Sequence, residues 1–336
     1  MNDTLARRAV LAAGLTLAAV AATAATATTS AATTSAATTA MPRLVDLGTL
    51  PGDTTSTAYA INDHGVVVGT SGPPGATRGF VRRRGRMAEL PGYGGSTVAT
   101  DVNEAGDVVG YSSRPGEWDV HAVLWHRGRL VDLGDLGGDS TYATGIADDG
   151  TVVGVGYTAS GVAHAFSWRA GVMTELAPGD SHSYAEAVAA GRILGTVDGQ
   201  AVVWRHGVRR ELRGFDPDTL ADVNRRGDVV GSTPTSGSLV RWSNGRTTSI
   251  ETPVGQDELA MQALNDHRVV VGYSDRWDEN LEVSYHAWVW RHGSLTALPD
   301  LAGQSRALDV NEHGTVAGDS AVAGTWGDTH AVVWVR

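Results

Sequence analysis

Four histidines, His121, His164, His286 and His330, recur at one point of a repeated phrase that runs His-Ala-x-x-Trp. Imidazoles can bind a metal or move a proton near neutral pH. That chemistry needs convergence on one point, whereas residues at one position of successive repeats are spread around the assembly the repeats build. They are therefore read as structural, each imidazole opening a strand and hydrogen-bonding to a neighbouring repeat. Asp101, Asp222 and Asp309 share a second repeated column. Carboxylates can hold a hard cation, yet these fall in repeats two, five and seven, too scattered for a ligand set. Hydrogen bonds to neighbouring backbone are expected instead. The loop acids Asp216 and Asp218 read as solvated charge. No Gly-x-Ser-x-Gly, His-Glu-x-x-His, phosphate-loop or calcium-loop spacing is present in the sequence. No catalytic or metal-binding residue is assigned, and no cofactor is expected.

The elements that position these residues come from a repeat of the form apolar-Asn-x-x-Gly-x-Val-Val-Gly. Its closing glycines are Gly69, Gly110, Gly154, Gly195, Gly231, Gly272 and Gly318, spaced 36 to 46 residues apart. Such a period marks a solenoid, a propeller or an array. In the second copy, Val98 to Asn103, Asp107 to Ser112, His121 to Trp125 and Arg129 to Leu133 read as strands a, b, c and d. Asn opening a turn and Gly near its end is hairpin chemistry. A four-stranded antiparallel unit at this period predicts a β-propeller blade. A linear β-solenoid competes, but it has shorter coils and needs caps. The last repeat stops at Trp334-Val335-Arg336 without strand d, and an orphan strand, Leu44 to Leu47, precedes the first repeat. The prediction is an all-β, seven-bladed propeller whose N-terminal strand completes the last blade and removes an exposed edge. Copies four and five are the most eroded.

Trp125, Trp168, Trp204, Trp242, Trp290 and Trp334 recur with the repeat and read as core between blades. Trp118, Trp277 and Trp326 break it, falling in the longest b–c loops, Ser113 to Val120, Asp275 to Tyr285 and Ala321 to Thr329. In a propeller these loops share a face with the d-to-next-a connections, which add Tyr93, His182 and Phe215. Loops carry function on a rigid scaffold, and exposed aromatics beside polar groups suit stacking on sugar rings or a protein contact. The ligand-binding set expected is Trp118, Trp277, Trp326, Tyr93 and His182.

Residues 1–27 read as an export signal: Arg7-Arg8, an apolar run from Ala9 to Ala22, then small-x-small sites. Residues 28–42 are an Ala/Thr-rich tether and 43–336 the propeller. The mature protein is expected to be extracellular, without membrane insertion and monomeric. It has no Cys, no Lys and a formal charge of −11, which argues against nucleic acid or an anionic membrane as partner.

The phrase His-Ala-Phe/Val-x-Trp, with Asp132-Leu133-Gly134-Asp135-Leu136-Gly137-Gly138 and Asn-x-x-Gly-x-Val-Val-Gly, resembles the HAF family of extracellular repeats. The resemblance spans nearly everything from residue 43 onward. It implies an exported bacterial repeat protein and no general activity. The function expected is a secreted, non-catalytic binding module for an extracellular glycan or protein. The alternative is a propeller-type polysaccharide hydrolase or lyase using loop carboxylates. Acids and a His converging at one end of the channel would favour the enzyme, and an aromatic patch without them would favour binding.

Overall fold

Short apolar runs cut by glycine turns can bury themselves only against their sequence neighbours, which builds antiparallel meanders. The computed structural model of the chain describes residues 41–234, 239–243, 245–250, 258–277, 283–324 and 327–336. The export signal, residues 28–40 of the tether and Trp326 lie outside the described residues. The rest forms seven four-stranded sheets, a seven-bladed β-propeller. In blade two the strands are Thr97–Val102, Val108–Ser113, Val120–His126 and Arg129–Asp132, each within one residue of the expected bounds. The eroded copies also complete their sheets. Blade five does so with a two-residue strand a, Asp222–Val223, after a short 3-10 turn at Pro217–Thr219.

Closure follows the prediction. Strand Arg43–Gly48 pairs with Thr329–Val335 as strand d of blade seven, with Leu44 opposite Trp334 and Val45 opposite Val333. The core is distributed along the seams between blades. The one between blades one and two holds Ala60, Val68, Leu90, Ala99, Val108, Val123 and Trp125. Leu44, from the N-terminal strand, packs on the seam between blades six and seven.

The closing glycine of the repeat has a steric cause. Strand a carries a bulge opposite it in most blades, as between Ala99 and Asp101. A Cβ at Gly69, Gly110, Gly154, Gly195, Gly272 or Gly318 would overlap the carbonyl oxygen of Thr57, Val98, Tyr142, Tyr184, Ala260 or Arg306, respectively. Blade five, with its shortened strand a, departs: a Cβ at Gly231 would meet the Phe215 ring first.

The repeated Asn explains how the blades lock. Its Oδ1 accepts from the backbone four residues on, closing its own turn: Asn62 from Val66, Asn103 from Asp107 and Asn311 from Thr315, each at 2.9 Å. Its Nδ2 donates to the same position of the next blade. Asn62 reaches the Asn103 carbonyl at 2.9 Å, Asn103 reaches Ala147 at 3.3 Å, Asn265 reaches Asn311 at 2.9 Å and Asn311 returns to Asn62 at 3.0 Å. The acid that follows repeats the pattern, taking the preceding blade's backbone N–H, as Glu104 does from Asp63 at 2.9 Å and Asp63 from Glu312 at 2.7 Å. The circuit is interrupted where blades three and four carry Ala147 and Ala189. Arg225 of blade five partly spans the gap, with Nη1 3.6 Å from Asp148 of blade three and Nε 2.8 Å from Asp266 of blade six.

Asn103 is buried and makes both bonds. Asn103→Ala strands a buried N–H and a buried carbonyl, so we expect a loss of roughly 2–3 kcal/mol. Urea unfolding measures it, and an unchanged midpoint would mean that the circuit does not hold the ring.

Candidate functional site

On the face formed by b–c loops and d–a connections, the Trp118 side chain stands 96% exposed, the most exposed large apolar residue described. The same loop carries Arg114, whose Nη1 lies 2.8 Å from His121 Nε2 and whose guanidinium carbon lies 5.4 Å from the Tyr93 ring centroid. Tyr93 meets the His121 ring edge-on at 5.5 Å and donates its hydroxyl to Asp132 Oδ2 at 2.7 Å. Burial, and then the Asp132 carboxylate, raise the Tyr93 pKa well above its ordinary value, so the phenol remains a donor. Loop Trp, tyrosine, imidazole, guanidinium and carboxylate thus belong to the outer half of blade two.

The other expected residues are placed differently. Trp277 is not a loop residue: the hairpin extends as Val270–Trp277 and Val283–Arg291, with Trp277 opposite Val283. His182 is exposed in the connection between blades three and four, where its backbone N–H donates to Asp198 at 2.9 Å. Phe215 is not an exposed aromatic. It is 4% exposed and packs in the seam between blades four and five, where the shortened strand a leaves room for a ring.

A feature the repeat pattern did not expose lies nearer the axis. Tyr142 of blade three and Tyr111 of blade two stack edge-on at 5.1 Å. Tyr111 is coupled electrostatically to Tyr59 of blade one, and Tyr59 to Arg306 and Asp319 of blade seven. Arg306 Nε donates to Asp319 Oδ1 at 3.1 Å, and the guanidinium carbon lies 5.9 Å from the centroid of the Tyr285 ring, which meets Tyr273 edge-on at 5.5 Å. Thr57 of blade one donates its hydroxyl to Asp319 Oδ2 at 3.0 Å. Blades three, two, one, seven and six therefore share one arc of phenols around a buried ion pair. Burial is the first cause raising the pKa of Tyr59, Tyr111, Tyr142, Tyr273 and Tyr285. Neutral hydroxyls and ring faces of this kind suit polyhydroxylated ligands. Tyr111 and Tyr273 share a column, each following a closing glycine, but Tyr59, Tyr142 and Tyr285 stand in others, and only the folded ring aligns them.

The histidine column is structural, with a correction to its partners. His164 contacts Glu175 and His330 lies 3.0 Å from Asp46. Both acids are on strand d of the same blade, not on a neighbour: they pair with Phe166 and Val332, two residues along strand c from the histidine and on its face. In blade one Arg78 takes the histidine's place, with Nη1 2.9 Å from Glu89. The tryptophan column does lie between blades: Trp125 and Trp334 donate Nε1 to the carbonyls of Pro91 and Pro299 on the preceding blade, at 2.7 and 2.6 Å. Trp242 and Trp290 are only half-buried.

The aspartate column bonds to neighbouring backbone as expected. Asp101 accepts from Ile146 at 2.8 Å, Asp222 from Leu264 at 3.0 Å and Asp309 from Ile61 at 2.7 Å, each on the next blade. Blades two, five and seven stand two or three steps apart around the ring, so the charges of Asp101 and Asp222 act on Asp309. Among the described residues no group of three or more His, Asp or Glu is arranged to hold a metal ion, and no helix is long and apolar enough to cross a membrane.

No protein-family model matches the chain, and no curated protein is significantly similar to it. Among solved structures it is similar to streptogramin B lyase, with a TM-score of 0.59 and 13% identity over 88% of this chain and 98% of that one. It is also similar to the β-propeller domain of the Trilobed protease from Pyrococcus furiosus, with a TM-score of 0.57 and 10% identity over 84% and 95% of the two chains. Puromycin hydrolase matches with a TM-score of 0.55 and 13% identity over 85% of this chain and 52% of its own. At such identities the likeness is one of fold: the chain is a β-propeller protein.

Proposed function

We propose that the protein is an exported, non-catalytic binding module of the HAF repeat type, which acts as a monomer outside the cell. Its b–c and d–a face receives an extracellular glycan or protein, with a glycan favoured. The observation that carries this reading is Trp118, an indole left 96% exposed on a hairpin loop that the fold does not need. Tyr93 and the partly exposed members of the phenol arc, Tyr111, Tyr142 and Tyr285, supply further ring faces on the same side. Trp277, Trp326 and His182 remain assigned to this face.

Trp118→Ala is expected to weaken binding to glycans identified on an array at least about fivefold, the loss of one aromatic contact of about 1 kcal/mol. Its melting temperature should stay within a degree or two of the parent, because an exposed loop side chain contributes little to stability. Isothermal titration and a melt on the same preparations test this. Full affinity in the variant would remove Trp118 from the site.

A further inference from the structure

On the opposite face, where the a–b and c–d turns lie, blades five and six border an open depression of about 560 Å³. Its size lies within the roughly 300–1,000 Å³ typical of small-molecule sites. Arg226 comes from the a–b turn of blade five and Arg241 from its strand c. His267 and Arg268 come from the a–b turn of blade six, Trp290 from its strand c and His292 from its c–d turn.

The charge balance is unusual for a chain with a net charge of −11. Three guanidiniums face the cavity, and the carboxylates near them are already engaged. Asp266 accepts from Arg225 Nε at 2.8 Å and from its backbone N–H at 2.9 Å. Asp228, 2% exposed, accepts from Arg268 Nε at 3.0 Å, while Arg241 Nη1 stands 3.6 Å away, beyond hydrogen-bond distance. Arg241 Nη1 and Trp290 Nε1 are both buried and have no hydrogen-bond partner. Buried donors without acceptors are uncommon and call for an explanation. Both belong to residues lining one depression, where three guanidiniums outnumber the single lining carboxylate, Asp266, although the two donor atoms are themselves closed to solvent.

We propose that this cavity binds a carboxylated sugar, a uronate residue of an acidic glycan. Its carboxylate sits between Arg226 and the solvent-facing part of Arg241, and its ring lies against the exposed face of Trp290. A guanidinium pair matches the planar carboxylate. The site lies on the face away from Trp118 and does not depend on the function proposed for that face.

The test is isothermal titration of the full mature protein with trigalacturonate, a neutral trisaccharide, acetate and inorganic phosphate. Trigalacturonate is expected to bind and the neutral sugar not to bind here. Arg226→Gln, which alters an exposed side chain, should weaken trigalacturonate at least about tenfold, the loss of one charge-assisted hydrogen bond. Trp290→Ala, which removes the face the sugar ring lies on, should weaken it severalfold, and Trp118→Ala should leave it unchanged. Equal affinity for trigalacturonate and the neutral sugar would overturn the proposal. So would phosphate or acetate binding as tightly as trigalacturonate, or trigalacturonate affinity indifferent to both cavity variants.

Discussion

Deleting residues 43–48 is expected to cost most of the protein's stability. Strand Arg43–Gly48 is the only part of blade seven that comes from the other end of the described chain, and it covers the whole outer edge of Thr329–Val335. Leu44 packs beside Trp334 and Val332, and Val45 and Leu47 pack beside Val333. Half-burying three aliphatic side chains contributes about 1 kcal/mol each, and the paired backbone adds roughly the same again. The sum, about 6 kcal/mol, is comparable to the entire stability of many domains, on the order of 5–15 kcal/mol. His330 would also lose Asp46, and the bare edge could pair with another chain. Thermal melts and size-exclusion profiles of the two forms decide the matter. The deleted form should melt far lower and associate with rising concentration. An unchanged melt would mean that the ring is closed by other contacts, chiefly the Asn311-to-Asn62 lock.

Much of this architecture was legible before any coordinates. The period, the turn residues and the mismatched chain ends specify seven blades and their closure, because each repeat is one unit that cannot bury its faces alone. Even Val-Val-Gly has a local cause, the carbonyl that leaves no room for a Cβ at Gly110. Partnerships were harder to read. His164 recurs with a tryptophan in its own strand, but its partner Glu175 sits across a tight turn, and nothing in the repeat says that strands c and d meet there. Asp101, Asp222 and Asp309 stay two or three blades apart, and only bending the line into a circle lets the charges of the first two act on the third. The phenol arc and the basic cavity were least visible, since both combine residues from different columns of different repeats. Tyr59 sits at a bulge, Tyr111 follows the closing glycine, and Arg226 and Arg268 occupy non-equivalent points of their turns. A reading by columns finds what the fold repeats. Sites built where repeats differ emerge only from packing.

The aspartate column also predicts an inverse dependence of stability on pH. Asp309 is only partly exposed, and desolvation, reinforced by the charges of Asp101 and Asp222, raises its pKa to about 8. The N–H groups of Ile61 and Val310, both at 2.7 Å, oppose this without cancelling it. In the unfolded chain an aspartate titrates near 3.9. Between about pH 4 and pH 8 the folded protein therefore holds a proton that the unfolded chain has released. The unfolded state binds fewer protons across that window, so stability falls as pH rises. The contribution is fully present below about pH 4 and is lost as pH passes 8, with a slope of at most about 1.4 kcal/mol per pH unit. Accumulated over the window, the effect is on the order of a few kcal/mol. Melting temperature measured from pH 5 to pH 9 should decline, whereas most proteins lose stability on the acid side. Histidines titrate in the same range, so the deciding comparison is Asp309→Asn. Its carboxamide keeps one acceptor and remains neutral throughout, although its amide faces a donor that the carboxylate accepted. The variant should start below the parent at pH 5, slope less, and draw level or overtake it by pH 9. Parallel curves for the two proteins would show that Asp309 carries its charge in the folded ring, and that its two backbone donors outweigh burial and the neighbouring carboxylates.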